Sequence, residues 1–300
     1  MSALNILITG ATGWLGQQTA KKLVCRFRED LHLTLLNSTP TNLYIQNKHF
    51  QTITPTSLKY DKKIDYFFDY AFLTREKIDS LGVKQYIETN LRLIRQSTEI
   101  VKRMGPKTVV LASSGAVYNS SKFAHTKNYQ LYSELKTFQE QQITDSCKQA
   151  GSKLIVVRIF NLSGEGINKS KVYAFQEFVE KALKNKEIVI NSNFHVLRRY
   201  CDIGQLLDLL LEQSFQGINI SFDSGGQLIE LRDLAGIIKK TLNSNSLIIC
   251  KPIDSYLTPD KYHSQSDQFE SLTKEFLNQD SLSIESQVIN TAKNLSFGNL

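Results

Sequence analysis

Three glycines near the start of the chain set the tightest limit on what it can fold into. Thr9-Gly10-Ala11-Thr12-Gly13-Trp14-Leu15-Gly16 follows directly on the apolar run Leu4-Asn5-Ile6-Leu7-Ile8, with the spacing G-x-x-G-x-x-G. An apolar run, a glycine-rich turn and a helix-length segment, in that order, read as the first strand, turn and helix of a βα unit. In such a unit Gly10 permits the tight turn, Gly13 lets backbone approach a pyrophosphate, and Gly16 lets helix and strand pack closely. The helix start adds free N–H groups and a dipole that favours phosphate. Gly10, Thr12, Gly13, Trp14, Leu15 and Gly16 are therefore candidate cofactor contacts. For Trp14, packing on the first helical turn is the simpler role.

The rest of the first half repeats this alternation. Apolar runs predict strands at 4–9, 32–36, 64–70, 107–113 and 153–159, with helices at 14–29, 83–104 and 128–150 between them. Continuous runs such as Val109-Val110-Leu111 and Ile155-Val156-Val157 suit strands buried on both faces. The expected fold is α/β, a Rossmann-type doubly wound parallel sheet. Residues 37–63 are rich in Asn, Ser, Thr and Pro and read as an irregular connection with a short strand at 50–54. Beyond residue 160 the texture changes. A helix is expected at 171–185, where Val172, Phe175, Phe178, Val179 and Leu183 share one face. Strand 187–190, helix 203–214, strand 217–222, helix 230–241 and strand 246–250 follow, then a polar tail with one amphipathic helix near 284–294. This predicts a dinucleotide-binding domain over 1–160 and, over 161–300, a smaller C-terminal lobe that takes the substrate, some of its segments returning to the first domain.

An acidic residue usually ends the second strand of an NAD-binding unit. Here that strand ends in Asn37-Ser38. Both can hydrogen-bond a ribose or a 2′-phosphate, and neither repels the phosphate. The cofactor reads as NAD or NADP, with the balance slightly toward NADP.

Ser113-Ser114 closes the strand at 107–113, and Tyr132-Ser133-Glu134-Leu135-Lys136 follows eighteen residues on. Tyr132 and Lys136, four apart on a helix, share a face. A free phenol titrates near 10, and an adjacent ammonium favours the phenolate. Tyr132 can then exchange a proton with a sugar hydroxyl, Ser114 can hydrogen-bond the same oxygen, and Lys136 can reach the nicotinamide ribose. Ser114, Tyr132 and Lys136 are the candidate catalytic residues; Tyr132 and Lys136 also count among the cofactor contacts.

The formal net charge of +7 comes from scattered pairs such as Lys21-Lys22 and Lys239-Lys240. That suits an anionic nucleotide and argues against nucleic acid as a partner. The four cysteines form no C-x-x-C pair, and the five histidines have no metal-ligand spacing, so no metal is expected. Leu4–Ile8 reads as a buried strand rather than a signal peptide, and no apolar run reaches membrane-spanning length. Cytoplasm is the default location.

Taken together, TGATGWLG (9–16), SSGAVY (113–118) and YSELK (132–136) resemble the extended short-chain dehydrogenase/reductases of the NAD-dependent epimerase/dehydratase family, over most of the chain to about residue 295. Asn90 matches the family's helix asparagine. Ala71 lies in Asp69-Tyr70-Ala71-Phe72, where the family usually reads H-x-A-A, so Asp69 and Phe72 are expected to alter the pocket near the pyrophosphate. Arg158–Gly164 resembles the R-x-x-N-x-x-G loop, which implies that Asn161 approaches the nucleotide sugar. Leu197–Ile203 resembles R-D-F-x-x-V, which implies that Arg198 holds the substrate diphosphate. No second family arginine is evident around Tyr262-His263-Ser264, and the Ser-to-Tyr interval is short. The Asp–Glu pair of family dehydratases is missing at Gly115-Ala116, which disfavours dehydration. The resemblance implies an NAD(P)-dependent 4-epimerase or 4-keto reductase of a nucleotide-diphosphate sugar, and a homodimer through helices such as 83–104 and 128–150. Two alternatives stand beside it: a non-catalytic dinucleotide-binding regulator on the same fold, and a reductase of a small non-nucleotide carbonyl.

Overall fold

The computed structural model describes residues 3–119, 124–167 and 173–297. It opens with β1 (Leu4–Thr9), α1 (Trp14–Phe27), β2 (Leu31–Leu36), β3 (Asn42–Ile45), β4 (Lys48–Gln51), β5 (Tyr66–Asp69) and α2 (Ile78–Leu81). Next come α3 (Val83–Met104), β6 (Thr108–Ser114), α4 (Lys127–Ala150), β7 (Lys153–Ile159), β8 (Leu162–Ser163), α5 (Ala174–Leu183), β9 (Ile188–Ile190) and β10 (Val196–Asp202). The remainder is α6 (Ile203–Gln216), β11 (Ile220–Asp223), β12 (Gln227–Glu230), α7 (Leu231–Thr241), β13 (Ile248–Cys250), β14 (Asp260–Lys261), α8 (Gln268–Leu277) and α9 (Ile284–Phe297). Two compact units result. The first holds the described residues of 1–119, 125–158 and 210–222, and the second those of 120–124, 159–209 and 223–300.

The first unit is built on a six-stranded sheet in the order β11-β7-β6-β5-β1-β2. β1 pairs in parallel with both β2 and β5, and β5 with β6. The chain starts in the sheet at β1, steps to β2, and reverses to β5. The loop after β1 therefore stands at the switch point, where ligands bind in sheets of this kind. On one face Leu7, Phe67, Val109, Leu111 and Val156 pack with Ile100, Val101 and Met104 of α3 and Ile143 and Cys147 of α4. Strand side chains alternate between faces, so Ile6, Ile8 and Phe68 turn the other way, and all three are buried. Burial on both faces is why these strands read as unbroken apolar runs.

Residues 37–63 are more ordered than their composition suggests. β3 and β4 form an antiparallel hairpin running from the pair Asn42↔Gln51 to Ile45↔Lys48. Gln46 and Asn47 join them, both at positive φ (50° and 61°). That is the backbone of a two-residue hairpin turn whose favoured sequence is Asn-Gly, so the usual signal is missing. The strand expected at 50–54 falls partly in β4 and partly in a lone parallel bridge, Leu36↔Ile53.

In the second unit Phe175, Phe178, Val179, Ile188, Ile190, Tyr200, Ile229, Leu234, Ala235, Ile238, Ile284 and Val288 form one core. The helix expected at 171–185 is α5; Val172, assigned to its apolar face, lies outside the described residues. The sequence pattern does not predict β10 as a strand. It pairs antiparallel with β12 and in parallel with β14 and β8. Nor does the pattern predict α8, in the tail that reads as polar; Phe269 and Leu272 bury its inner face.

Candidate active site

The three loop glycines are needed for different reasons. Gly10 has φ +62°, and a Cβ there would stand 2.9 Å from the carbonyl carbon and oxygen of Tyr70. At Gly16 it would stand 2.4 Å from Gly10 O and 2.7 Å from Ala11 Cα. Gly13 sits in ordinary extended backbone (φ −76°, ψ 167°), and its Cβ would meet only Gly10 O, at 3.1 Å. The chain's own packing thus demands Gly10 and Gly16, whereas a bare Gly13 leaves open the approach to the N-terminus of α1. The first turn, Trp14-Leu15-Gly16-Gln17, carries no acidic residue. An uncapped 14-residue helix start beside a glycine fits a phosphate group. Trp14 and Leu15 are half-buried in that turn.

Thr12 and Asn37 come together: Thr12 Oγ1 donates to Asn37 Oδ1 at 3.0 Å. Asn37 Nδ2 in turn donates to Thr39 O (3.1 Å) and Thr41 Oγ1 (3.2 Å). Its amide is therefore engaged by its own loop, with Ser38 exposed beside it.

Asp69 is turned inward, away from solvent. It is fully buried at the end of β5, where its carboxylate accepts from Thr9 Oγ1 (2.7 Å), Ser97 Oγ (2.8 Å) and Gln139 Nε2 (3.4 Å). Burial raises its carboxyl above the usual range, against the pull of those donors and of Lys136. Thr9 Oγ1 also accepts from Tyr70 N (3.0 Å) and Ala71 N (3.2 Å). Buried Asn90, on α3, holds the next residues: its Oδ1 accepts from Leu73 N at 2.8 Å, while Tyr86 Oη donates to Leu73 O at 2.8 Å. The placement of Asn90 is thus that of a clamp on the segment carrying Ala71 and Phe72.

Lys136 and Tyr132 lie one turn apart on α4. Lys136 is 4% exposed; its Nζ donates to Ala112 O on β6 and to Gln139 Oε1, both at 2.9 Å. Phe72 covers it, with the ring centroid 3.8 Å from Nζ. Burial pushes the ammonium down to about 7, opposed by Asp69 and Glu140. Tyr132 is half-buried and meets Phe72 edge-on, ring centroids 5.9 Å apart. Ser114, buried at the end of β6, accepts a hydrogen bond from Ala116 N (3.2 Å), which fixes its Oγ. A second network runs alongside. Ser113 Oγ donates to Glu140 Oε1 at 2.5 Å, Arg158 grips both Glu140 oxygens (3.0 and 2.8 Å), and Arg158 Nη1 donates to Tyr118 Oη at 2.6 Å.

In the second unit, Asn161 and Arg198 converge on one segment, 260–262. Asn161 Nδ2 donates to Arg199 O and Tyr262 O, each at 3.2 Å. Arg198 donates to Asp260 O (3.0 Å) and forms an ion pair with the buried Asp260 carboxylate at 2.5 Å. Its guanidinium stands 5.9 Å from the Tyr262 ring. Arg199, where the family motif has aspartate, pairs with Asp267 (2.7 Å) and approaches Glu270 (3.5 Å).

Sequence reading missed four contributors: the inward turn of Asp69, the bridge made by Gln139, the Glu140–Arg158 pair, and Asp260. Gln139 and Glu140 had a signal, since they follow Lys136 by three and four residues on a helix. Asp260, 62 residues from Arg198, had none. Among the described residues no cluster of His, Cys, Asp or Glu could hold a metal, and no helix is long and apolar enough to cross a membrane.

The α/β fold, the switch-point loop and the Tyr–Lys helix define a dinucleotide-fold protein of the short-chain dehydrogenase/reductase class. The sequence profile of the NAD dependent epimerase/dehydratase family matches residues 6–214, and the chain belongs to that family. No curated relative matches in sequence. Among solved structures, a UDP-N-acetylglucosamine 4-epimerase from Methanobrevibacter ruminantium M1, in complex with UDP-N-acetylmuramic acid, superposes with a TM-score of 0.75 at 18% identity, over 99% of each chain. The UDP-glucose 4-epimerase of Thermus thermophilus, in complex with NAD, gives 0.73 at 15% identity, over 98% of this chain and 99% of its own. A UDP-glucuronic acid 4-epimerase from Bacillus cereus, with UDP-glucuronic acid and NAD, gives 0.73 at 14%, over 97% and 98%. At such identities these likenesses speak for the fold.

Proposed function

We propose that this protein is an NAD(P)-dependent enzyme that epimerises, or reduces at a 4-keto position, a nucleotide-diphosphate sugar. One observation carries the reading: Tyr132 precedes by one turn a buried Lys136 that is anchored on β6 at Ala112, two residues before Ser114. The glycine loop would hold the dinucleotide diphosphate at Gly13 and the α1 N-terminus, with Thr12, Asn37 and Ser38 toward the adenosine end. Ala71, Asn90 and the face of α4 would border its nicotinamide end. A bound dinucleotide would supply hydride acceptance and return for epimerisation, or hydride donation for 4-keto reduction. In epimerisation Tyr132 takes the proton of the sugar 4-hydroxyl and returns it; in reduction it gives a proton to the 4-keto oxygen; in both the Lys136 charge favours its phenolate. Ser114 hydrogen-bonds the same oxygen as its charge changes. Arg198 is the residue for the substrate diphosphate; it must loosen its hold on Asp260 to serve there. Asn161 would approach the sugar.

The similar structures that contain NAD support NAD as cofactor, whereas the missing carboxylate at Asn37 favours NADP. A tightly retained nucleotide, released on denaturation and found to be NAD, would indicate an epimerase, because a cofactor reoxidised within each cycle need not leave. The test of the catalytic assignment is Tyr132→Phe, assayed on UDP-glucose, UDP-N-acetylglucosamine and UDP-glucuronic acid. Turnover should fall by on the order of 10²-fold or more, with dinucleotide affinity kept. Near-normal turnover in the variant would remove Tyr132 from the mechanism.

A second reading, a dinucleotide-binding regulator without turnover, draws on the ring of Phe72 over Lys136 and on the engagement of Arg198 by Asp260. Firm dinucleotide binding by wild-type protein, with no conversion of any of the three sugars, would favour it.

A further inference from the structure

A charged Lys136 has three N–H donors. Two are directed at oxygens, those of Ala112 and Gln139. The Phe72 ring covers the remaining side, 3.8 Å from Nζ. A cation over an aromatic face is attracted by the ring quadrupole, and more strongly where water is excluded. While the ring stays in place, no direction around the ammonium is left for a ligand hydroxyl.

The backbone on both sides of Phe72 is pinned. Ala71 N is held by Thr9 Oγ1 at 3.2 Å, and Leu73 N by Asn90 Oδ1 at 2.8 Å. The ring itself is half-buried, packed against the small cluster of Ile78, Tyr86 and Leu135 and edge-on to Tyr132. Side-chain rotation on a fixed backbone is therefore the motion available to it. The motif that Asp69–Phe72 resembles usually has a small alanine at this place, where this chain sets a ring.

We infer, on the reading above that Lys136 meets the nicotinamide ribose, that Phe72 is a specificity-determining gate: its ring and that ribose compete for the same side of Lys136. A dinucleotide is then gripped at its nicotinamide end only after the ring swings aside. ADP lacks this ribose and binds at the glycine loop without disturbing the ring.

Isothermal titration of NAD, NADP and ADP into the full chain tests this, using wild type, Phe72→Ala and Phe72→Leu. Leucine keeps most of the volume in the cluster and removes the aromatic face, so it guards against a folding defect in the alanine variant. Both variants should bind the preferred dinucleotide about tenfold more tightly than wild type, with ADP affinity changed by less than about twofold; a tenfold change corresponds to about 1.4 kcal/mol. Unchanged or weaker dinucleotide binding in both variants overturns the gate, as does an equal rise in ADP affinity. If none of the three nucleotides binds to any of the three proteins, the dinucleotide reading itself fails and the gate falls with it.

Discussion

Gly13 and Gly16 illustrate how two identical residues in one motif differ in what they are for. A methyl group at Gly16 would collide with the backbone of Gly10 and Ala11, at 2.4 and 2.7 Å, and neither neighbour is a flexible side chain. Gly16→Ala should cost about 1–3 kcal/mol, the range for overpacking, in a urea titration. Gly13→Ala should cost clearly less than Gly16→Ala, because its Cβ would meet one backbone atom, Gly10 O, at 3.1 Å, which a small shift relieves. Its ADP affinity should nevertheless fall, since the methyl intrudes on the phosphate approach. Equal destabilisation by the two substitutions would show that Gly13 serves packing after all. The spacing of the three glycines and the separate part expected of each were legible in the sequence; the atoms that enforce them, Tyr70 C and O at Gly10 and Gly10 O and Ala11 Cα at Gly16, were not, because they come from other turns of the chain. The same holds around Lys136. Its place four residues after Tyr132 could be read directly. The inward aim of Asp69, and the Gln139 amide between Asp69 and Lys136, are products of packing between α3, α4 and β5.

At the scale of elements, what could be read was what is buried on both sides. Every residue of β6 is buried, and it reads as an apolar run. β10 was hidden because Arg198 and Arg199 stand in its middle. They are tolerated there because acids far along the chain, Asp260 and Asp267, meet them. The β3–β4 hairpin was hidden by its turn. Gln46 at φ 50° is an unfavourable residue for the left-handed region, and Asn47 is a tolerable one. Replacing the pair by Asn-Gly should stabilise the hairpin by on the order of 1 kcal/mol, visible as a higher urea midpoint. A lower midpoint would mean that these two side chains make contacts worth more than the turn backbone.

For the molecule as a whole, Lys136 gives stability a pH dependence whose sign can be worked out. Its folded value of about 7 lies below the ordinary 10.5. Below pH 7 both folded and unfolded chains hold the proton, and the folded state bears the full penalty of the buried charge. Between about 7 and 10.5 the unfolded chain holds more protons, so stability rises with pH. Asp69 works in the opposite sense: its raised folded value makes stability fall as pH climbs from 3.8 toward that value. Removing Lys136 strips Asp69 of its attraction and raises it further. From pH 7.0 to 8.5, wild type should therefore gain on Lys136→Met by on the order of 1 kcal/mol in urea unfolding. Parallel stability curves for the two proteins would mean that the buried ammonium keeps its proton in the folded state through pH 8.5, as in the unfolded chain. Fold class and the placement of Tyr132 and Lys136 one turn apart on a helix could be read without coordinates because they rest on short-range patterns. The partners of Arg198 and Asp69 lie 62 and up to 70 residues away and could not.

The first unit is not one continuous stretch of chain: its sheet is completed by β11, supplied after the chain has spent residues 159–209 in the second unit. During synthesis, the strand that closes the β7 edge is therefore delivered late. Until about 222 residues have left the ribosome exit tunnel, β7 presents an open hydrogen-bonding edge, the kind of surface on which nascent chains pair with one another. A chain stopped at residue 160 would keep that edge permanently, so every glycine and catalytic candidate of the first unit could be present in a polypeptide that still aggregates. Chaperone engagement during translation is then expected to last until β11 emerges.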